Sequence, residues 1–93
     1  MEIIYQPRFI NSFNQIWDYI SKDSKNRANK FKKELRQSIE DLEAMPFKYR
    51  KSIYFEDENI RDLIFKGYIV VYKVNQDDNQ IMIIGINKYK NSL

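Results

Sequence analysis

The spacing of apolar residues changes at Pro46, and this change constrains the fold more than any other feature of the sequence. Before Pro46, apolar side chains recur every three or four residues from Phe9 to Ile20 and again from Ala28 to Met45, as on one face of an α-helix. After Pro46, β-branched and aromatic residues come in short runs that are typical of strands. Since proline disfavours the helical conformation of the residue before it, the second helix is expected to end at Met45.

The order of these segments predicts an α+β fold. Residues 2–6 form a strand-like run, Pro7 suits a first helical turn, and the polar segment 21–24 separates two helices that form a hairpin. Four more strand-like runs follow, and they are residues 51–55, 60–65, 68–74 and 80–86. The sequence therefore predicts an N-terminal strand, a helical hairpin and a three- to four-stranded antiparallel meander, in one domain of residues 1–93, with both helices on one face of the sheet.

Two glycines mark particular points of the meander. Lys66-Gly67 is expected to form a tight hairpin turn because glycine tolerates positive φ, and residues 75–79 form a looser turn. Gly85 stands inside the last strand-like run, where a glycine indicates either a bulge or the close approach of another backbone.

The composition excludes several classes of chemistry. The 93 residues contain no cysteine and no histidine, so the chain has neither disulfides, nor thiolate zinc sites, nor histidine-assisted nucleophiles. The two glycines lie 18 residues apart, so there is no glycine-rich phosphate loop, and no metal or cofactor is expected. No run of about 18 apolar residues is present. We therefore expect a cytoplasmic protein that does not enter membranes.

The second helix carries a concentration of positive charge. Residues 22–36 include seven basic and two acidic side chains, although the net charge of the whole chain is only +3. Three of these cations, Lys25, Lys32 and Arg36, are predicted to share the helix face opposite Leu35. A charged outer face of this kind is most often only solvated, and the alternative is a surface that binds an acidic partner.

Cations and phenols alternate in the second half of the chain, a mixture that can neutralise phosphates and stack on bases. The candidates for contact with nucleic acid or a protein target are Lys48, Arg50, Lys51 and Lys66. Tyr68 and Tyr72 have strand spacing with Val70 and Val74, so we interpret them as core residues rather than as a stacking platform.

Two further positions have alternative interpretations. Arg61 shares a strand face with apolar neighbours, so it is either a half-buried partner of Asp57 or Glu58 or a site residue. The segment Lys88-Tyr89-Lys90 either presents ammonium and phenol groups to a phosphate or forms a solubilising tail.

Three segments of the β half resemble the RelE/ParE superfamily, the toxins of type II toxin–antitoxin pairs. They are Arg61-Asp62-Leu63, Gly67-Tyr68 and Val71-Tyr72-Lys73-Val74. The resemblance implies a microbial-RNase-like α+β fold, a cognate antitoxin that wraps the toxin, and a cytoplasmic target.

The superfamily has two classes of target. RelE-like members cut messenger RNA on the ribosome with the RNA's own 2′-hydroxyl as nucleophile, and here their basic set would consist of Arg61, Lys88, Tyr89 and Lys90. ParE-like members inhibit DNA gyrase and lack that set. Nucleases of the family place an arginine directly after Gly-Tyr, where this chain has Ile69. The resemblance therefore favours ParE-like action, with a RelE-like endoribonuclease or a non-toxic binding module acting through its basic helix as alternatives.

Overall fold

The computed structural model describes residues 1–89, which form a four-stranded sheet and two helices. The elements in chain order are β1 (Glu2–Tyr5), α1 (Pro7–Asp23), α2 (Lys25–Glu40), a 3₁₀ turn (Asp41–Glu43), β2 (Ile60–Phe65), β3 (Tyr68–Asn75) and β4 (Gln80–Lys88). The sheet order is β1-β4-β3-β2, in which β2, β3 and β4 are an antiparallel meander and β1 lies parallel to β4. The predicted α+β class and element order are confirmed.

A single residue connects the two helices of the hairpin. Pro7 occupies the start of α1, where its missing N–H costs no helical hydrogen bond. The backbone N–H of Ser24 donates to the carbonyl of Ile20 at the end of α1, and its hydroxyl accepts the N–H of Arg27 at 3.1 Å. Ser24 therefore ends one helix and caps the next, so the two helices pack side by side.

The turns follow the glycine and asparagine signals. Lys66 and Gly67 both have positive φ, 45° and 83°, in the tight turn between β2 and β3, and Asn79 has φ 54° before β4. In the register of β3 and β4, Val71 lies opposite Gly85 and Tyr72 lies opposite Ile83, which leaves one extra residue in β4. The bulge expected at Gly85 is therefore confirmed.

The main core lies between the helices and one face of the sheet. Both apolar helical stripes contribute to it, and the sheet supplies alternate residues of its three longer strands. The buried members are Phe9, Phe31, Leu35, Ile39, Leu42, Leu63, Val70, Tyr72, Val74, Ile81, Ile83 and Ile86. Tyr68 is half-buried against the same cluster, so the interpretation of Tyr68 and Tyr72 as core residues is confirmed.

The strand predicted over residues 51–55 is wrong. Residues 46–59 form an irregular loop, called loop 46–59 below, and Lys51 makes a single isolated bridge with Arg61 of β2. The N–H of Ile53 turns to the carboxylate of Asp62 at 3.1 Å, and the N–H of Tyr54 turns to the hydroxyl of Ser52 at 3.1 Å. Because side chains accept these donors, the ladder with β2 stops after Ser52.

The second face of the sheet, called the outer face below, carries a smaller apolar cluster of its own. Its buried apolar residues are Ile60, Ile69 and Val71, with Ile84 packed beside them. No helix described between residues 1 and 89 has the length and apolar character needed to cross a bilayer.

Candidate functional site

Three of the four predicted target contacts lie together. Lys48, Arg50 and Lys51 belong to loop 46–59 and are exposed beside β2. Lys66 lies in the turn after β2, about five residues or 17 Å along the strand from the bridge at Arg61. Its ammonium group donates to the carboxylate of Glu34 on α2, and this hydrogen bond lowers the pKa of Glu34. The structure therefore separates Lys66 from the other three cations.

Arg61 fastens loop 46–59 to the sheet. Its Nε donates to the backbone carbonyl of Glu58 at 2.8 Å, and one terminal nitrogen donates to the carbonyl of Tyr49 at 3.1 Å. Its guanidinium carbon also lies 4.9 Å from the centre of the Phe47 ring, within cation–π range. Neither expected acidic side chain pairs with Arg61, since Glu58 offers its backbone carbonyl and the carboxylate of Asp57 lies 3.8 Å from Lys73 Nζ.

Two other side chains hold the same loop. The hydroxyl of Tyr72 donates to the carbonyl of Pro46 at 2.6 Å, and burial raises the pKa of Tyr72 to about 12. The fully buried carboxylate of Asp62 accepts the N–H of Ile53 and lies 3.6 Å from the guanidinium of Arg50. Asp62 Oδ1 has no hydrogen-bond partner among the described residues. An acidic side chain buried with so few partners was not predicted from the sequence.

The candidate cation and phenol at the end of β4 lie beside α1. Lys88 is exposed opposite Tyr68, and the backbone N–H of Tyr89 donates to the carbonyl of Gly67 at 2.7 Å. Lys88 and Tyr68 line an open groove of about 430 Å³ together with Tyr19 of α1. Lys90 lies outside the described residues.

The candidate nuclease set is spread across the sheet. Arg61 lies opposite Tyr72 and Lys88 lies opposite Tyr68, on the two sides of β3 and four residues apart along it. Standard strand dimensions put the Cα atoms of Arg61 and Lys88 about 16 Å apart. Between them, Ile69 is fully buried in the outer-face cluster.

The basic face of α2 is not where the sequence analysis put it. Lys32 and Arg36 lie on the flank of the apolar stripe and not opposite Leu35, since steps of about 100° per residue put them roughly 60° and 100° from Leu35. Both line a groove of about 240 Å³ with Leu35, while Lys25 is exposed at the start of α2. Because Arg36 is 11 residues further along the helix, Lys25 lies about 16 Å from it.

This groove between the helices and β1, called the helix groove below, has an aromatic and aliphatic floor. The residues that complete it are Tyr5, Phe9, Ile10, Phe13, Asn14 and Ile39. Burial raises the pKa of the Tyr5 phenol, with the Arg36 guanidinium opposing the shift and the Glu40 carboxylate adding to it. Phe9 and Phe13 belong to the apolar stripe predicted from Phe9 to Ile20, for which no binding role was expected. A projection of α2 at about 100° per residue shows that Lys32 and Arg36 border its apolar stripe.

A second small pocket opens on the outer face, and the sequence analysis did not find it. It has a volume of about 190 Å³ and lies between α1, loop 46–59 and β4. Arg8, Tyr54, Phe55 and Asn87 contribute to its walls, and Gly85 lies in its lining. The isolated glycine in the last strand was the available signal.

Comparison with known protein families identifies the family to which the chain belongs. Residues 3–92 match the family described as the ParE toxin of the type II toxin–antitoxin system parDE. The chain belongs to the ParE toxin family. A search of curated protein sequences finds no match.

Solved structures agree with this ParE-family fold. A chain of the chromosomal ParDE system from P. aeruginosa is similar with a TM-score of 0.76 at 15% identity, over 97% of each chain. The isolated RelE toxin of E. coli is similar with a TM-score of 0.63 at 17% identity, over 98% of this chain and 86% of that one. At these identities the likeness shows a shared fold.

Proposed function

We propose that this ParE-family toxin acts in the cytoplasm, arrests growth by inhibiting DNA gyrase, and is neutralised by a cognate antitoxin. The observation that carries the choice of target is the burial of Ile69. A side chain at this position packs against Ile60 and Val71 inside the outer-face cluster. It therefore offers no charge to a scissile phosphate, and a preorganised cation at such a point is commonly worth several kcal/mol in transition-state stabilisation.

The separation of the remaining candidates supports the same choice. Arg61 is occupied with the carbonyls of Tyr49 and Glu58, and it lies roughly 16 Å from Lys88 by strand geometry. Groups that stabilise one phosphorane-like state need to be within hydrogen-bond reach of the same few oxygen atoms. Arg61 and Lys88 do not meet this requirement in the free chain.

The helix groove is our proposed antitoxin site. Its apolar floor, with Ile10 and Phe13, is bounded by Lys32 and Arg36. An amphipathic segment with apolar residues toward the floor and acidic residues toward the two cations would be complementary to it. Such a segment can be disordered when free and fold on binding.

One observation favours the RelE-like alternative. Lys88, Tyr68 and Tyr19 line the same open groove, so a cation and two phenols are available to a phosphate and its neighbouring bases. In that alternative, changing Lys88 or Tyr89 would abolish cleavage of ribosome-bound messenger RNA.

The test compares the two targets side by side. Purified chain is added to gyrase with relaxed plasmid and ATP, and separately to ribosomes programmed with messenger RNA. We expect loss of supercoiling and intact message. Cleaved message with normal supercoiling would replace the proposal with the nuclease alternative. If expression of the chain causes no growth arrest, the protein is instead a binding module on the same scaffold.

A further inference from the structure

Neither the backbone conformation nor the packing at Gly85 requires a glycine. Its φ lies outside the left-handed region, and a Cβ built there meets nothing within 4 Å. The bulge opposite Val71 therefore accommodates a side chain without backbone strain or collision. The space above Gly85 is the outer-face pocket, which a side chain at this position would fill.

The size of this pocket limits its occupant. At about 190 Å³ it is smaller than the 300–1,000 Å³ typical of sites for cofactors and drug-sized ligands. Its walls combine the apolar ring of Phe55 with the guanidinium of Arg8 and the amide of Asn87. Such a pocket matches a single side chain inserted by a macromolecule.

The loop beside the pocket presents apolar residues to solvent. Ile53, Tyr54 and Phe55 are consecutive and are 62%, 48% and 46% exposed. The backbone of the first two is held in place, because the Ile53 N–H binds the buried Asp62 carboxylate and the Tyr54 N–H binds the Ser52 hydroxyl. A fixed, exposed apolar patch is characteristic of a protein interface and needs little ordering on binding.

The charges around this patch argue against a nucleic acid as the partner. Residues 48–58 contain three cations followed by three acids, so their net charge is zero. Binding to a phosphate backbone depends on an excess of cations that displaces counterions.

Arg8 indicates that the protein partner contributes an acidic side chain. It is exposed at the start of α1 on the wall of the pocket, and it takes part in none of the ion pairs found within residues 1–89. An acidic side chain entering the pocket would meet this guanidinium at its edge, a pairing that gives specificity at an interface.

We infer that the pocket above Gly85 and the loop tip 53–55 form the surface through which the toxin binds its protein target. The target inserts an acidic side chain beside Arg8 and covers the loop tip with apolar residues. This inference rests on the proposed function insofar as the target is a gyrase subunit.

The test uses two variants that change the surface by different means. Gly85→Val fills the pocket, and Arg8→Glu repels the inserted acid. Lys33→Glu makes the same charge change at an exposed position of α2 and serves as the matched control. Each full-length variant is measured for its thermal unfolding midpoint, for growth arrest on expression, and for the concentration that halves gyrase supercoiling.

We expect Gly85→Val and Arg8→Glu to unfold at the wild-type temperature and to be at least tenfold weaker than wild type in both activity assays, while Lys33→Glu keeps full potency. Wild-type potency in a folded Arg8→Glu variant would overturn the inference, even if Gly85→Val fails to fold. If the wild-type chain arrests growth without affecting supercoiling, the gyrase proposal fails, and loss of growth arrest in the two variants still decides the surface. A wild-type chain that does not arrest growth overturns both.

Discussion

The face of the sheet that packs on the helices and the outer face are held by different kinds of contact. Beneath the helices, twelve buried apolar or aromatic side chains form one cluster. On the outer face, the buried apolar cluster has three members among residues 1–89. Loop 46–59, by contrast, is fastened largely by polar groups, namely Asp62 on the outer face and Arg61 and Tyr72 on the helix-facing side of β2 and β3.

The difference separates global stability from local order. Apolar packing under the helices is shared among many neighbours, so it determines whether the chain folds. The polar attachments of loop 46–59 are few and specific, so each determines where a short stretch of the loop lies. Substitutions on the two faces should therefore have effects of different size and kind.

The largest loss is expected under the helices. Leu63→Ala removes a fully buried side chain of β2 and should lower the free energy of unfolding by about 3 kcal/mol, because packing is lost and a cavity remains. Urea denaturation measures this loss. Ile64→Ala, the next residue on the outer face, is 43% exposed and should cost less than about 1 kcal/mol. Equal losses for both would contradict the division between the faces.

Removing the buried carboxylate of the outer face should cost somewhat less. Asp62→Ala leaves the Ile53 N–H without its acceptor and should lower the free energy of unfolding by about 2 kcal/mol. Asp62→Asn is the matched control, since its amide oxygen can still accept that hydrogen bond, and it should cost less. Hydrogen exchange of the Ile53 amide should accelerate in the alanine variant; unchanged exchange would show that the carboxylate does not hold the loop.

Tyr72→Phe should lower the free energy of unfolding by about 1 kcal/mol, the usual worth of one hydrogen bond, here the bond to Pro46. The pKa of Tyr72 is raised from 10.0 to about 12. Its contribution is therefore complete below pH 10 and decreases as the pH rises toward 12. Denaturation between pH 9 and 12 should show a steeper decline for wild type than for Tyr72→Phe. Parallel curves would contradict the assignment.

The smallest effect is expected at the exposed pair of Lys66 and Glu34. Lys66→Ala should leave the free energy of unfolding almost unchanged, and any small change should shrink further in 1 M salt because exposed pairs are screened. A loss as large as that of Tyr72→Phe that persists in salt would mean that this pair anchors the β2–β3 turn.

The packing of the helix-facing side of the sheet could be predicted from the sequence, and the contacts of the outer face largely could not. Helical and strand periodicity identify residues that face an apolar layer, which is why the inward residues of β3 and most of the stripes of α1 and α2 were located correctly. The predicted end of the second helix at Met45 was wrong, since α2 ends at Glu40 and Met45 is exposed. Loop 46–59 has the β-branched and aromatic composition of a strand at 51–55. Periodicity does not reveal that the Asp62 carboxylate, distant in sequence, accepts the Ile53 N–H and ends the ladder.

The candidate sites divide in the same way. A charge-rich stretch was recognised on α2, but Lys32 and Arg36 lie about 60° and 100° from Leu35 around the helix axis rather than opposite it, so they wall a groove. Gly85 was predicted to mark either a bulge or a close backbone approach, while the pocket above it requires Arg8 and Phe55 from segments far away in sequence.

The central claim is that the two faces carry separate functions, and one paired measurement tests it most directly. Ile10→Glu changes an exposed residue of the helix groove, and Gly85→Val fills the outer-face pocket. Each variant is expressed with and without its cognate antitoxin, and growth and co-purification are recorded. We predict that Ile10→Glu arrests growth but escapes the antitoxin, whereas Gly85→Val binds the antitoxin but does not arrest growth. Loss of both properties in either folded variant would contradict the claim.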